Sequence, residues 1–254
     1  MGADASAERG RRVLLIGGTS EIGLAILRRL AVDGPVRPYL LGRDRDRLES
    51  ALASVQAAGT EPGEVAVLDA DDLESHEPAI ATAFERAGPF DVAVLAVGVL
   101  GAQEALDADG DEALRVMRVN FVGAGSLLLA CMRAMRTAGM GTLVVLSSVS
   151  AERPRSGNAI YGAAKAGLDA LSQGLADAHR GEVRVLVVRP GFVRSRMTEG
   201  LSAPPFATSP EAVAEATASG LASSAHTVWV PGTLRYVFWV LRQLPRPVYR
   251  RLPL

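Results

Sequence analysis

The sequence predicts an α/β fold, a doubly wound sheet of seven parallel strands in the order 3-2-1-4-5-6-7 forming a single domain. Three observations carry that expectation. Short β-branched apolar runs alternate with longer stretches of helical spacing, most runs lack polar alternation, and no internal repeat or linker interrupts the pattern. A run with no polar face belongs to a strand covered by helices on both sides. Parallel crossovers are right-handed, so the simplest arrangement reverses strand order once and places a ligand crevice at the carboxyl ends of strands 1 and 4.

The expected strands span residues 13–16, 36–41, 65–68, 92–97, 143–146, 183–188 and 228–230. Helical spacing covers residues 21–32, 45–57, 77–87, 111–137 and 161–178. Residues 194–209, with Pro204 and Pro205, follow strand 6 and read as a substrate lid or surface loop. Residues 1–10 read as a flexible start, 11–233 as the folded domain and 234–254 as an amphipathic basic tail.

With 48% hydrophobic and 22% charged residues the 254-residue chain is globular rather than disordered. No run approaches the roughly 18 uninterrupted apolar residues of a membrane span. A single cysteine, Cys131, excludes a disulfide framework, and with only His76, His179 and His226 beside it no metal site is expected. Charge is uneven: the last acid is Glu215, and Arg235, Arg242, Arg246, Arg250 and Arg251 put a formal +5 on the final 39 residues. The rest of the chain is mildly acidic, which argues against nucleic acid as a partner. The tail, with Tyr236, Phe238, Trp239 and Tyr249 among its arginines, suits either an anionic membrane surface or packing on the domain.

Chemistry enters after strand 1, where Gly17-Gly18-Thr19-Ser20-Glu21-Ile22-Gly23 leads into a helical stretch. Glycines allow a tight bend and a close backbone approach, and the free amides of the helix start face an anion. The same residues also read as an ordinary turn with Ser20 as N-cap. The strongest constellation is Ser148, Tyr161 and Lys165, with Asn120 upstream. Tyr161 and Lys165 are four apart, so both emerge on one helix face. An ammonium beside a phenol is expected to lower the phenol's pKa towards a range useful for acid/base work. Of 27 basic residues, Lys165 is the only lysine.

On these residues the chain resembles the short-chain dehydrogenase/reductase family over residues 12–230. Tyr161 and Lys165 match its Y-x-x-x-K motif, Ser148 precedes the tyrosine by the family's usual thirteen residues, and Asn120 matches the asparagine ahead of the long central helix. The resemblance implies a Rossmann-like fold, NAD(H) or NADP(H) as cofactor, and Asn120, Ser148, Tyr161 and Lys165 as the catalytic tetrad, with Asn120 holding a water that relays protons to Lys165. It implies dinucleotide contacts from Gly17, Thr19, Ser20, Ile22, Gly23, Asp69 and Gly98, from Tyr161 and Lys165, and from Gly191, Val193 and Ser195 of the turn after strand 6. Two features depart from the family pattern. Glu21 stands where a glycine is usual and must turn outward for a pyrophosphate to bind, and of the family's N-N-A-G only Gly98 remains in Leu95-Ala96-Val97-Gly98. Arg43, at the end of strand 2 where NAD users carry an acid, favours NADP(H).

The tail, the glycine turn and residues 151–155 are most similar to members that reduce a 2-keto-erythro-pentose on decaprenyl phosphate to decaprenylphosphoryl arabinose for cell-wall arabinan. That likeness implies a polyprenyl-phosphate sugar substrate, NADH as reductant and a flavin-dependent decaprenylphosphoryl-ribose oxidase as partner. Dependence on a nicotinamide cofactor implies a cytoplasmic site, and the tail and lipid substrate suggest its membrane face. The family resemblance implies a homo-oligomer paired through residues 121–135 and 168–175, residues that could equally cover the sheet. Arg153, Arg155, Arg194 and Arg196 are expected to ring the mouth above Ser148 and hold the phosphodiester. Another hydrophobic ketone or alcohol is the alternative substrate, and a non-catalytic dinucleotide sensor the alternative role.

Overall fold

A computed structural model describes residues 10–101, 110–153, 155–249 and 251; apart from Gly10, the expected flexible start lies outside them. The strands are β1 (Arg11–Ile16), β2 (Val36–Gly42), β3 (Glu64–Val67), β4 (Val92–Leu95), β5 (Thr142–Leu146), β6 (Arg184–Pro190) and β7 (Thr227–Val230). They form one parallel sheet in the order β3-β2-β1-β4-β5-β6-β7, the order the sequence predicts. Each strand lies within two residues of its expected bounds.

Why the strands lack polar alternation is visible in the packing. Leu14 and Ile16 of β1 enter the core on one side of the sheet, with Leu95, Val145, Leu127, Leu128 and Leu168. Val13 and Leu15 enter the core on the other, with Val94, Val144, Leu27 and Val213. Both sides of the pleat are therefore buried, each full aliphatic side chain contributing about 1.5–3 kcal/mol. The helices that cover them are α1 (Glu21–Asp33), α2 (Arg45–Gln56) and α7 (Pro210–Ala222) on one face and α3 (His76–Ala87), α5 (Ala124–Ala138) and α6 (Ala159–Ala178) on the other. The sequence reading did not mark α7, whose Ser209 caps it by accepting from the Ala212 amide at 3.2 Å.

The expected helix 111–137 is not continuous. It is α4 (Gly110–Met117), a π turn over Arg118–Gly123 and α5. At the turn the Ala124 amide donates to Val119 O, so Asn120 O loses its regular α-helical donor. Residues 110–138 are apolar enough to span a bilayer by composition, but Leu127, Leu128, Cys131, Met132 and Met135 are buried against the sheet. The chain ends in α8 (Leu234–Gln243) and α9 (Arg246–Tyr249).

Beneath the site runs a buried ionic network. Asp169 on α6 accepts from Arg189 Nε at 2.9 Å and Nη2 at 2.7 Å, and from Ser147 Oγ at 2.6 Å. Arg189 also pairs with Glu152 and stacks 5.0 Å from the Trp229 ring centroid. This network locks β5, β6 and α6 together at the carboxyl end of the sheet. Removing one partner of such a pair strands the other charge. Asp169→Ala is expected to lower the unfolding free energy by about 3 kcal/mol in urea denaturation; a loss under about 0.5 kcal/mol, the size of an ordinary surface substitution, would show the pair to be dispensable.

Candidate active site

One continuous cleft opens at the carboxyl ends of β1 and β4, where strand order reverses. Its first half, on the side of the glycine turn, has a volume of 530 Å³ and is lined by Gly17, Thr19, Ser20, Ile22, Arg43, Asp69, Gly98 and Ser195. The second half, 490 Å³, is lined by Ser148, Tyr161, Lys165, Gly191 and Val193. Ser20, Ile22, Gly98 and Ser195 border both.

The glycine turn is built for close approach. Gly17 has φ +88°, and a Cβ there would lie 2.7 Å from Ala96 O, so both conformation and space demand glycine. At Gly23 a Cβ would meet Leu15 Cδ1 at 2.5 Å; this residue brings α1 onto β1 and does not itself line the cleft. Ser20 caps α1 by accepting from the Gly23 amide at 3.2 Å, so the N-cap reading and a place in the cleft hold together. Glu21 turns to Arg196, accepting its backbone amide at 2.7 Å with a guanidinium contact at 3.6 Å. The carboxylate expected to repel an anion is thereby paired.

In the second half Ser148 and Tyr161 line the pocket together, and the Ser148 hydroxyl accepts from the Ser150 amide at 3.1 Å. Burial pushes the Tyr161 phenol up to about 12, with Ser148 pulling the other way. Lys165 donates through Nζ to Leu146 O at 3.0 Å and Val97 O at 3.4 Å, and stands 6.0 Å from the Tyr161 ring centroid. Burial brings its ammonium down to about 8. This corrects the expectation that lysine lowers the tyrosine's pKa: desolvation dominates both groups, and the ammonium is directed at backbone carbonyls. Asn120 is fully buried; its Oδ1 accepts from Val99 N at 2.8 Å and its Nδ2 donates to Val99 O at 2.7 Å. A Cβ on Gly98 would lie 3.1 Å from Asn120 Oδ1 and 3.4 Å from Lys165 Nζ, which places this glycine between them.

The four arginines expected around the substrate do not form a ring. Arg155 lines the second half of the cleft. Arg153 instead donates to Leu241 O and, at 2.8 Å, to Leu244 O, and stacks 4.0 Å from the Tyr249 ring centroid. The carbonyls at the end of α8 claim it, Leu241 O also accepting the Leu244 amide at 3.3 Å. Arg194 is exposed and lines neither half; its backbone amide bonds Thr208 O. Arg196 borders the first half, held by Glu21 and by Thr19 O at 3.2 Å.

Sequence reasoning missed Arg47, which lines the cleft near Arg43. Its signal was available: it lies four residues after Arg43, at the start of α2, where Asp44 caps the helix by accepting from the Arg47 amide at 3.1 Å. It also missed Phe192, Met197, Leu201 and Pro204, which make the second half mostly apolar. Asp69 borders the first half, its Oδ1 accepting from the Asp71 amide at 3.0 Å as in a turn.

The chain matches the short chain dehydrogenase family over residues 11–205. An uncharacterized oxidoreductase of Mycobacterium tuberculosis is 45% identical over 242 residues, covering 95% of this chain and 96% of that protein. One from Streptomyces coelicolor is 44% identical over 243 residues, at 95% and 96% coverage. Among solved structures, the actinorhodin polyketide ketoreductase with NADPH superposes with a TM-score of 0.78 at 25% identity, over 90% of this chain and 98% of that one. An alcohol dehydrogenase from Thermococcus sibiricus complexed with 5-hydroxy-NADP gives a TM-score of 0.75 at 25% identity, over 86% and 94%. With its seven-stranded parallel sheet and one cleft across the topological switch, the chain belongs to the short-chain dehydrogenase family and is an NAD(P)-dependent oxidoreductase.

Proposed function

We propose that this oxidoreductase reduces an apolar, lipid-like ketone to an alcohol, with NADPH as the preferred dinucleotide. The observation that carries this reading is that Ser148, Tyr161 and Lys165 line one largely apolar pocket that shares Ser20, Ile22, Gly98 and Ser195 with the glycine cradle. The cradle fits a dinucleotide: Gly17, at positive φ, lets the turn pack tightly on Ala96 while lining the cleft, Gly98 lines it opposite, and the helix start behind Ser20 presents free amides. Gly17, Thr19, Ser20, Ile22, Asp69, Gly98, Gly191, Val193 and Ser195 would hold it, with Gly23 acting from behind the turn. When bound, the dinucleotide supplies the hydride.

The chain's own residues manage the oxygen and its proton. Ser148 orients the carbonyl by hydrogen bonding, and Tyr161 gives its phenolic proton to the oxygen as negative charge develops there. A phenol lifted to about 12 is fully protonated at neutral pH, the state a proton donor requires. Lys165, held on Leu146 O and Val97 O, would keep positive charge near Tyr161 and hold a ribose hydroxyl of the bound dinucleotide. The Asn120 side chain grips Val99, and its backbone carbonyl, released by the π turn, is the group that would hold a relay water.

Arg43 and Arg47 border the first half of the cleft with no acid at the end of β2, which supports a 2′-phosphate on the adenosine. Val149, Phe192, Met197 and Leu201 support an apolar substrate. The 2-keto pentose on decaprenyl phosphate remains the specific substrate that the sequence likeness implies. Its phosphate would rest on Arg155 alone among the four arginines first considered, and a flavin-dependent oxidase would supply it. The implied homo-oligomer would use Leu114, Met117, Phe121 and Val122, which are exposed on α4 and the π turn, rather than the core-facing Leu127 to Met135.

Three measurements test this reading. Tyr161→Phe is expected to lower kcat on a long-chain or lipid-linked ketone by about 10²–10⁴ while dinucleotide binding is retained, and near-normal turnover would overturn the assignment. Arg43→Ala with Arg47→Ala is expected to weaken NADPH binding by about tenfold or more and leave NADH nearly unchanged in fluorescence titration; equal losses for both would remove the 2′-phosphate reading. A third concerns Lys165, whose folded value of about 8 lies below the ordinary 10.5. Between those values the unfolded chain binds more protons, so stability rises with pH from about 8 to 10.5. In chemical denaturation Lys165→Met should flatten that rise, and an unaltered pH profile would show the ammonium not to be desolvated.

A further inference from the structure

The C-terminal helix carries two apolar stripes where one would serve for packing. Leu234 is buried, and Phe238 lies against Trp229 with ring centroids 6.1 Å apart. That inner stripe holds α8 on the domain, with Arg153 bonded to Leu241 O and Leu244 O and Arg242 bonded to Glu152 at 2.8 Å. The outer stripe is Tyr236, Trp239 and Val240, spaced i, i+3, i+4, with Tyr236 71% and Trp239 67% exposed. An aromatic pair and a valine left facing water on one short helix form a surface that needs an occupant.

Two further apolar side chains, Leu201 and Phe206, are exposed on the loop after β6. The inner side of α8 and this loop both approach Gly191, where a Cβ would lie 2.7 Å from Leu234 Cδ1 and 3.8 Å from Phe206 O. Gly191 and Leu201 line the second half of the cleft, so α8 is seated close to that half.

Charge selects the occupant. No acid follows Glu215 in the sequence, and the final 39 residues carry a formal +5. Arg242 spends its charge on Glu152, whereas Arg235, Arg246 and Arg251 are exposed and have no ion pair among the described residues. Tyrosine and tryptophan settle at the headgroup level of a bilayer, and arginines beside them meet anionic headgroups. A second copy seated symmetrically on the same face would set these arginines against one another. We infer that the outer face of α8 is a docking surface for an anionic lipid bilayer, and that it holds the nearby second half of the cleft close to the membrane.

The experiment uses the full chain and needs no substrate, so its outcome is separate from the reductase reading. Co-sedimentation with vesicles of phosphatidylcholine alone is compared with vesicles of phosphatidylcholine mixed with phosphatidylglycerol. Binding is expected only to the anionic vesicles, with release at high salt and a blue shift of tryptophan emission. The double variant Tyr236→Ser/Trp239→Ser should bind about tenfold less well with an unchanged circular dichroism spectrum. Arg235→Glu/Arg246→Glu provides a second variant with the apolar stripe intact and should lose binding as well. Failure of the wild-type chain to bind anionic vesicles, or equal binding by the variants, overturns the proposal. So does a larger species in size-exclusion chromatography that the double variant breaks up without any vesicle binding, because that assigns the face to a second copy.

Discussion

A single buried ammonium joins the sheet to the cleft. Lys165 is 4% exposed, and its Nζ donates to Leu146 O at the end of β5 and to Val97 O just past β4. A charge taken so far from water is tolerable only where acceptors are prepared for it. Here they are carbonyls left free because β4 stops at Leu95 and the chain bends through Ala96 and Val97. Gly98 leaves the gap between Asn120 and Lys165 open, and Asn120 fastens the following residue by gripping both backbone groups of Val99. Lysine, glycine and asparagine thus form one mutually dependent unit. A planar guanidinium would not direct its donors at two converging carbonyls in the same way, which gives a physical reason for a lysine in a chain that otherwise uses arginine.

A second unit supports Ser148 from below and links it to the end of the chain. Ser147 bonds Asp169, Asp169 holds Arg189, Arg189 pairs with Glu152, and Glu152 receives Arg242 from α8. The loop carrying Ser148 is therefore bracketed by a buried ion pair on one side and by the C-terminal helix on the other. Arg153 strengthens that bracket by capping α8 and stacking on Tyr249. The tail is part of the frame of the site, while its outer stripe remains free for another surface.

Much of this was legible in the residues because it depends on local patterns. Apolar runs without polar alternation mean two-sided burial, and Val13 to Ile16 show it by sending alternate side chains into separate cores. The i, i+4 spacing of Tyr161 and Lys165 requires one helix face wherever the helix lies. The π turn was hidden, since residues 118–123 have an ordinary helical composition and the bulge arises from the demand to aim Asn120 at Val99. The sign of the tyrosine's pKa was hidden too, because desolvation is a property of the assembled cleft and no neighbouring residue in the chain announces it.

The sequence alone determined the strand order, the glycine turn and the identities of the residues that meet at the switch point, since each follows from periodicity, handedness or the steric freedom of one residue type. Partners for the long charged side chains were decided only by the tertiary structure. Arg153, Arg194 and Arg196 have the same chemistry and similar places in the chain, yet one caps a helix, one faces water and one neutralises Glu21. A guanidinium reaches several ångströms from its backbone and binds whichever carbonyl or carboxylate the fold brings near, and that proximity joins segments far apart in sequence.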